Sequence, residues 1–399
     1  RVKDDVTFDD LIGSTAKIIR HETGVLRDQL RRNGVDLIHG EASFEAADTI
    51  VVRRAGDERR VRASRVLIAV GSRPARPPGM DFDGRSVIDS NQILTIDEIP
   101  RTLIVVGAGV IGVEYACIFA ALGTRVTLIN QSDTFLEFVD AQIRHTLAHH
   151  MRSRGVEFRF GEEVTGIERR GPYIVAATAS GKALAADRLL YSVGRQGNTD
   201  RLNLPAAGLT ADARGRIAVN AAHQTEVETI YAAGDVVGFP ALAATSREQG
   251  RIAVRHMFGC ARLGLDTPMP YGIYAIPEIS MIGPTEQELT AARTPYEIGV
   301  ARYSEIARGQ ILGDEAGLLK LLFDPDSRRL LAVHVIGEGA TELVHIGQAA
   351  IAFGAPVDYF AETVFNYPTL AEAYKVAALD GLNRLRMLDA DPSAGRLAA

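Results

Sequence analysis

The sequence predicts an α/β protein built on open parallel sheets and closed by an α+β domain, and three observations carry that prediction. Residues 103–106 (LIVV) are a continuous apolar run, as expected of a strand buried on both faces. They open through Gly107-Ala108-Gly109-Val110-Ile111-Gly112 into an apolar helix, and residues 125–129 follow as a second strand. Two more apolar runs, 66–70 and 230–233, each end at a glycine (Gly71 and Gly234), the place where an open α/β sheet presents a ligand crevice. Finally, Leu318–Phe323 and Leu330–Ile336 flank Asp324-Pro325-Asp326-Ser327 as a hairpin, with two helices (341–353 and 369–385) after it.

Bulk properties narrow the function. With 399 residues, 46% hydrophobic and 24% charged, the chain is long enough for two or three domains of ordinary globular composition. A net charge of −6 without a basic stripe argues against nucleic acid as the main partner. No apolar run has transmembrane length and no signal peptide is visible, so no membrane partner and a cytoplasmic setting are expected. The two cysteines, Cys117 and Cys260, fall in apolar helical patterns and read as buried packing residues, neither a redox pair nor a metal site. No metal centre is expected: His145, His149 and His150 share a helix without further ligands and read as solvent-facing, and His334 and His345 read as structural.

In chain order, Thr7-Phe8-Asp9-Asp10 has the form of a capping box, and Leu11, Ile12, Ile18, Ile19, Val25, Leu26 and Leu30 continue at helical spacing up to Asn33-Gly34. Short strands are expected at 35–38, 42–44 and 49–52, with a charged turn over 53–60. Pro74, Pro77, Pro78 and Gly79 make a stiff linker, and a second domain begins near Ile99-Pro100. Beyond the glycine unit come a helix over 141–154 and strands at 157–160, 174–178 and 189–193, and that domain is expected to close around 209–219. Ile230 to Ala233 then leads to Gly234-Asp235, a common turn when taken alone, and a helix starts at 241–243. The expected domains are 1–98, 99–221, 222–270 and 271–399, with the first and third forming one unit.

The glycine turn has a physical logic. Gly107 and Gly109, lacking Cβ atoms, let backbone approach a pyrophosphate, and Gly112 lets the helix pack on the strand. The free N–H groups around Val110 and Ile111, at the positive end of the helix, favour the anion. At the end of the second strand, where a site specific for NAD carries a carboxylate on the ribose 2′-OH, this chain has Asn130. An amide repels no 2′-phosphate and tolerates either ribose.

Taken together, Val70-Gly71-Ser72-Arg73-Pro74, the GAGVIGVEYA turn, Val193-Gly194-Arg195 with Asn198-Thr199, the segment from Thr225 to Asp235, and Phe365-Asn366-Tyr367-Pro368-Thr369 resemble, in order, the flavoprotein disulfide reductases. Within that family, FNYPTLAEAYKVAALDGLNRL and Asn130 are most similar to members that pass hydride between the two nicotinamide nucleotides. The resemblance implies two Rossmann-like dinucleotide-binding domains, the FAD domain incomplete at its N-terminus, plus a C-terminal α+β dimerisation domain and a homodimer. It implies FAD held by Gly71, Asp235 and Ala243. It places NAD or NADP on Gly107, Gly109, Val110, Ile111, Gly112, Glu114, Asn130 and Gly194.

Two departures matter. Where dithiol-handling members carry His-Pro-Thr followed by a Glu, this chain has Tyr367 and Glu372. A phenol, with an ordinary pKa of about 10, is a poor proton shuttle for a thiol at neutral pH. The strand, FAD-binding turn and cysteine segment with which family members begin do not appear ahead of the first helix, so the chain reads as incomplete at that end. The expected reaction is flavin-dependent hydride transfer between NADPH and NAD without a redox disulfide, with Tyr367 and Glu372 as the candidate catalytic residues, Tyr367 either bordering the flavin ring or serving as a purely structural phenol. A dithiol or quinone reductase and an inactive dimerising scaffold are the rival expectations.

Overall fold

A computed structural model describes residues 7–260 and 268–390. The chain divides into two compact units, one of Arg1–Asp81, Asp89–Glu98 and Val193–Gly264, the other of Phe82–Ile88, Ile99–Ser192 and Leu265–Ala399.

In the first unit the expected capping box is present. Thr7 Oγ1 accepts the Asp10 N–H at 3.3 Å and Asp10 accepts the Thr7 N–H at 2.9 Å, starting the helix Phe8–Arg32. Such a cap contributes about 1 kcal/mol. The strand expected at 35–38 does not form; Val35 and Leu37 lie exposed with no strand beside them. The charged turn expected over 53–60 is mostly strand: Glu41–Ala46, Thr49–Arg54 and Asp57–Arg62 make a three-stranded antiparallel sheet, turning only at Ala55-Gly56. Ion pairs Arg53–Glu58 and Arg60–Glu45 cross it. Behind this sheet, Val66–Ile68 and Ile230–Ala232 pair in parallel.

The core of this unit corrects two expected boundaries. Leu202, Leu204, Leu209 and Ile217 pack with Phe44, Ile68, Ile230 and Val236, so the stretch after Val193 belongs here and the glycine-turn domain stops at Ser192, not at 221. Conversely, Val87 and Ile88 lie in an edge strand beside Arg188–Tyr191 and join the second unit, although 1–98 was expected to stay together. Cys260 also departs from expectation, lying exposed just past the helix Ala243–Met257.

The second unit begins with a five-stranded sheet in the order Val87–Asp89, Arg188–Tyr191, Thr102–Val106, Arg125–Asn130, Glu157–Phe160, the last four parallel. Leu103, Ile104 and Val105 are fully buried, which is why that strand reads as an unbroken apolar run. Val164–Arg170, Tyr173–Thr178 and Ala183–Ala186 form a separate antiparallel sheet, of which only the middle strand was expected. The C-terminal part is a five-stranded antiparallel sheet, Tyr271–Ile273, Ile279–Ile282, Leu330–Ile336, Leu318–Phe323, Glu297–Arg302. The expected hairpin is there, its turn tied by the Ser327 N–H donating to Asp324. Helices Ala340–Ala352, Asp358–Glu362 and Glu372–Ala390 supply Val344, Phe360, Tyr374 and Ala377 to its core.

Candidate functional site

The glycine turn grows out of the strand Thr102–Val106, which is buried from Leu103 onward. Gly107 takes φ +99°, where a side chain would be strained, and its N–H donates to Ile129 O at 2.8 Å. The Ala108 N–H donates to Asn130 Oδ1 at 3.2 Å, while Asn130 Nδ2 donates to Thr134 O at 2.6 Å. Asn130 thus fastens the turn to the neighbouring strand and to the loop beyond. Ser192 Oγ lies 2.8 Å from Val106 O and 3.0 Å from Gly107 O, bracing the turn from the opposite side.

The two remaining glycines differ. A Cβ on Gly112 would sit 1.9 Å from Gly107 O, so its absence permits helix–turn contact. A Cβ on Gly109 would meet nothing within 4 Å; the space in front of it is open. Helix Val110–Ala121 starts there with no side-chain cap, and its first ladder bond is Val113 N–H to Gly109 O. The N–H groups of Val110, Ile111 and Gly112 therefore have no partner within the helix. An open face, unpaired N–H groups and a positive helix end fit a dinucleotide's diphosphate.

One turn along that helix, Glu114 Oε1 accepts the Tyr274 N–H at 2.8 Å. Burial raises the Glu114 carboxyl above its ordinary value, and the Tyr274 N–H only partly offsets this. Burial likewise pushes the neighbouring Cys117 thiol up to about 11, leaving it a poor nucleophile.

The second set of residues belongs to the first unit. Because Val66–Ile68 and Ile230–Ala232 are parallel neighbours, the turns at Gly71 and Gly234-Asp235 emerge at the same sheet end. Gly71 takes φ +66°. Ser72 Oγ donates to Asp235 Oδ2 at 2.7 Å, and Arg195 Nε donates to Ser72 Oγ at 2.7 Å while lying 3.6 Å from Asp235. Asn198 Nδ2 donates to Val70 O at 3.0 Å, and Gln249 Oε1 accepts the buried Gly234 N–H at 2.7 Å. Ala243 is exposed at the start of helix Ala243–Met257, which has no side-chain cap. A carboxylate with acceptor capacity beside an uncapped helix start suits a ligand with hydroxyls and an electron-rich ring.

The residues expected to act together are thus distributed. Gly71, Asp235, Ala243 and also Gly194 lie in the first unit; Gly107, Gly109, Val110, Ile111, Gly112, Glu114 and Asn130 lie in the second. Tyr367 and Glu372 are in the second unit too; Tyr367 is 73% exposed, and Glu372 Oε2 is buried with no partner. Ser192, Tyr274 and Gln249 were not expected in these roles, and no local pattern announces a partner that far along the chain.

Residues 6–250 match the family model described as pyridine nucleotide-disulphide oxidoreductase, and residues 269–378 match that family's dimerisation domain. The chain belongs to the pyridine nucleotide-disulphide oxidoreductase family. It is 51% identical to the soluble pyridine nucleotide transhydrogenase of Mycobacterium bovis (strain BCG / Pasteur 1173P2), over 98% of this chain and 84% of that protein. Against the transhydrogenase of Colwellia psychrerythraea it is 45% identical, over 95% and 83%. Among solved structures, LpdA from Mycobacterium tuberculosis superposes with a TM-score of 0.87 at 25% identity, covering 94% of this chain and 83% of that one. The flavoprotein disulfide reductase RclA from Escherichia coli gives 0.84 at 25% identity, covering 92% and 85%. As an oxidoreductase of this family, the chain works with a flavin and nicotinamide nucleotides, and it contains the family's dimerisation domain. Among the described residues, no helix is long and apolar enough to cross a membrane.

Proposed function

We propose that this oxidoreductase is an FAD-dependent, homodimeric transhydrogenase that moves hydride between NADPH and NAD. The observation that carries the reading is 51% identity, over nearly the whole chain, to a protein named for that activity. Tyr367 supports it: a reaction without thiol chemistry needs no imidazole at that position.

Bound FAD supplies the centre that takes up and returns the hydride. The chain's own residues bind and orient. The N–H groups of Val110, Ile111 and Gly112 and the helix dipole hold the diphosphate of whichever nicotinamide nucleotide is present. Asn130, an amide, places no negative charge against a 2′-phosphate, so both nucleotides can use one site in turn. Glu114, its carboxyl held by Tyr274, offers an acceptor for the carboxamide. Asp235, held by Ser72, would accept hydrogen bonds from the flavin's ribityl chain, and the uncapped start of helix Ala243–Met257 would offer its positive end to the electron-rich ring.

The test is an assay of the purified flavoprotein with NADPH as donor and a thio-NAD⁺ analogue as acceptor, with dihydrolipoamide as the control donor. Turnover with the nucleotide pair alone is expected. Turnover only with the dithiol overturns the reading and favours a dithiol reductase.

A further inference from the structure

Residues 131–139, the loop after the ribose-reading position, are held at both ends by side chains. At one end Asn130 grips Thr134 O. At the other, Asp140 caps helix Ala141–Ser153 by accepting the Gln142 N–H at 3.0 Å, and its second oxygen accepts the Glu286 N–H at 3.3 Å. Both Asp140 oxygens also lie 3.0 Å from Lys320 Nζ. Lys320 projects from Leu318–Phe323, an inner strand of the C-terminal sheet, and also contacts Glu286 Oε2. The side chains of Lys320 and Asp140 are 0% exposed. Nearby, the Ala141 N–H donates to Gln287 Oε1 at 3.2 Å, and Phe138 packs against Tyr271 with ring centroids 5.0 Å apart and planes tilted by 59°.

A buried ammonium is a costly way to fill space, since an apolar side chain of similar volume avoids the desolvation. What the charge adds is direction. Three carboxylate oxygens, on two elements, must converge on one nitrogen, and this sets where the loop ends and the helix begins. Within the loop the backbone has little freedom of its own to find that path: Leu136 takes φ +46°, Phe135 is buried against Phe158 and Phe160, and Ser132 Oγ donates to Glu137 at 2.6 Å.

We propose that Lys320 is a positioning residue for nicotinamide-nucleotide binding. Acting through Asp140, it fixes residues 131–139 so that Asn130 and the adjoining backbone meet the adenosine ribose of the dinucleotide. This deepens the transhydrogenase reading and rests on it in requiring a nicotinamide dinucleotide at the glycine turn.

The test is calorimetric titration of the oxidised flavoprotein with NAD⁺, NADP⁺ and nicotinamide mononucleotide, which lacks the adenosine half. Lys320→Met alone leaves the buried Asp140 carboxylate unpaired, so the deciding protein is the double variant Lys320→Met/Asp140→Asn, which removes both fully buried charges, keeps an asparagine cap, and leaves only the partly exposed Glu286 carboxylate, still held by Tyr296 OH. The double variant is expected to bind both dinucleotides about tenfold more weakly and the mononucleotide unchanged. Amide exchange should speed up in 131–139 and not in 102–106. Equal loss for dinucleotides and mononucleotide, or no loss at all, overturns the role of Lys320. Failure of the unaltered protein to bind either dinucleotide brings down the transhydrogenase reading as well, so the two failures are distinguishable.

Discussion

Gly109 and Gly112 stand three residues apart in one turn, yet their missing side chains serve different neighbours. At Gly112 the neighbour is the protein itself: a methyl would overlap Gly107 O, and relief requires the helix to move off the strand. Overpacking of this kind costs about 1–3 kcal/mol. At Gly109 the backbone is ordinary, with φ −75°, and a methyl would project into open space. Gly112→Ala is therefore expected to lower the melting temperature and weaken nucleotide binding together. Gly109→Ala should leave thermal unfolding within about 0.5 kcal/mol of the unaltered protein, while raising the Kd for NADP⁺ at least about tenfold through lost approach to the diphosphate. Calorimetric melting and titration of both variants read this contrast; equal melting of the two removes the distinction. Asn130 invites a charge test. In Asn130→Asp the acceptor for the Ala108 N–H survives while the Nδ2 donor to Thr134 O is lost; that loss acts on both nucleotides, whereas the new carboxylate opposes only a 2′-phosphate. The KM for NADPH should rise about tenfold or more, a like-charge contact being worth upwards of 1.4 kcal/mol at close range, with the KM for NADH changing far less.

Elements show where sequence and structure part company. The glycine turn was legible because φ +99° at Gly107 and the close approach at Gly112 demand residues without side chains, and those demands are written in residue type. The strand Asp57–Arg62 was not: almost every residue is exposed, so both faces are polar and period-two alternation never appears. Its pairing instead comes from the tight turn at Ala55-Gly56 and the ion pairs that cross the sheet. Ser192, Gln249 and Tyr274 were hidden for another reason, since each bonds a group 15 or more residues away along the chain, Ser192 and Gln249 at a glycine turn and Tyr274 at Glu114 on the helix. Helix Ala141–Ser153 adds a prediction on pH. Burial would raise the carboxyl of its cap, Asp140, but the charges of His334 and Lys320 and the Lys320 hydrogen bonds outweigh burial and leave it below its ordinary value. A carboxyl lowered in the folded state adds stability above its unfolded pKa, about 3.9, and that stability is lost as pH falls through the lower folded value. Melting temperature should therefore fall with acid below about pH 4, and the Lys320→Met/Asp140→Asn variant should show a shallower fall over pH 5 to 2. Parallel acid limbs for the two proteins would place the loss elsewhere.

At the scale of the molecule, the chain leaves and re-enters its first unit twice, and this explains the misplaced boundary at 221. Nothing in composition changes at Val193; only the burial of Leu202, Leu204, Leu209 and Ile217 against Phe44, Ile68 and Ile230 assigns that stretch. The C-terminal part of the second unit raises a different question, because it leaves large apolar side chains in water. Phe353 is 80% exposed, Val364 90% and Tyr367 73%, all within the residues matched to the dimerisation domain. Single chains seldom leave so many apolar groups uncovered unless another surface covers them. If a second copy of the chain does so, placing a charge among them must cost association and not folding, since none of these side chains supports its own core. Val364→Asp and Phe353→Asp are accordingly expected to shift the protein from dimer to monomer by light scattering, with the far-ultraviolet circular dichroism of the folded chain retained. Because association stabilises only the folded state, the apparent melting temperature of the unaltered protein should rise with protein concentration and that of the variants should not. A dimer that survives both substitutions would place the interface on another face of the C-terminal sheet and its helices, leaving these residues as an exposed patch without that role.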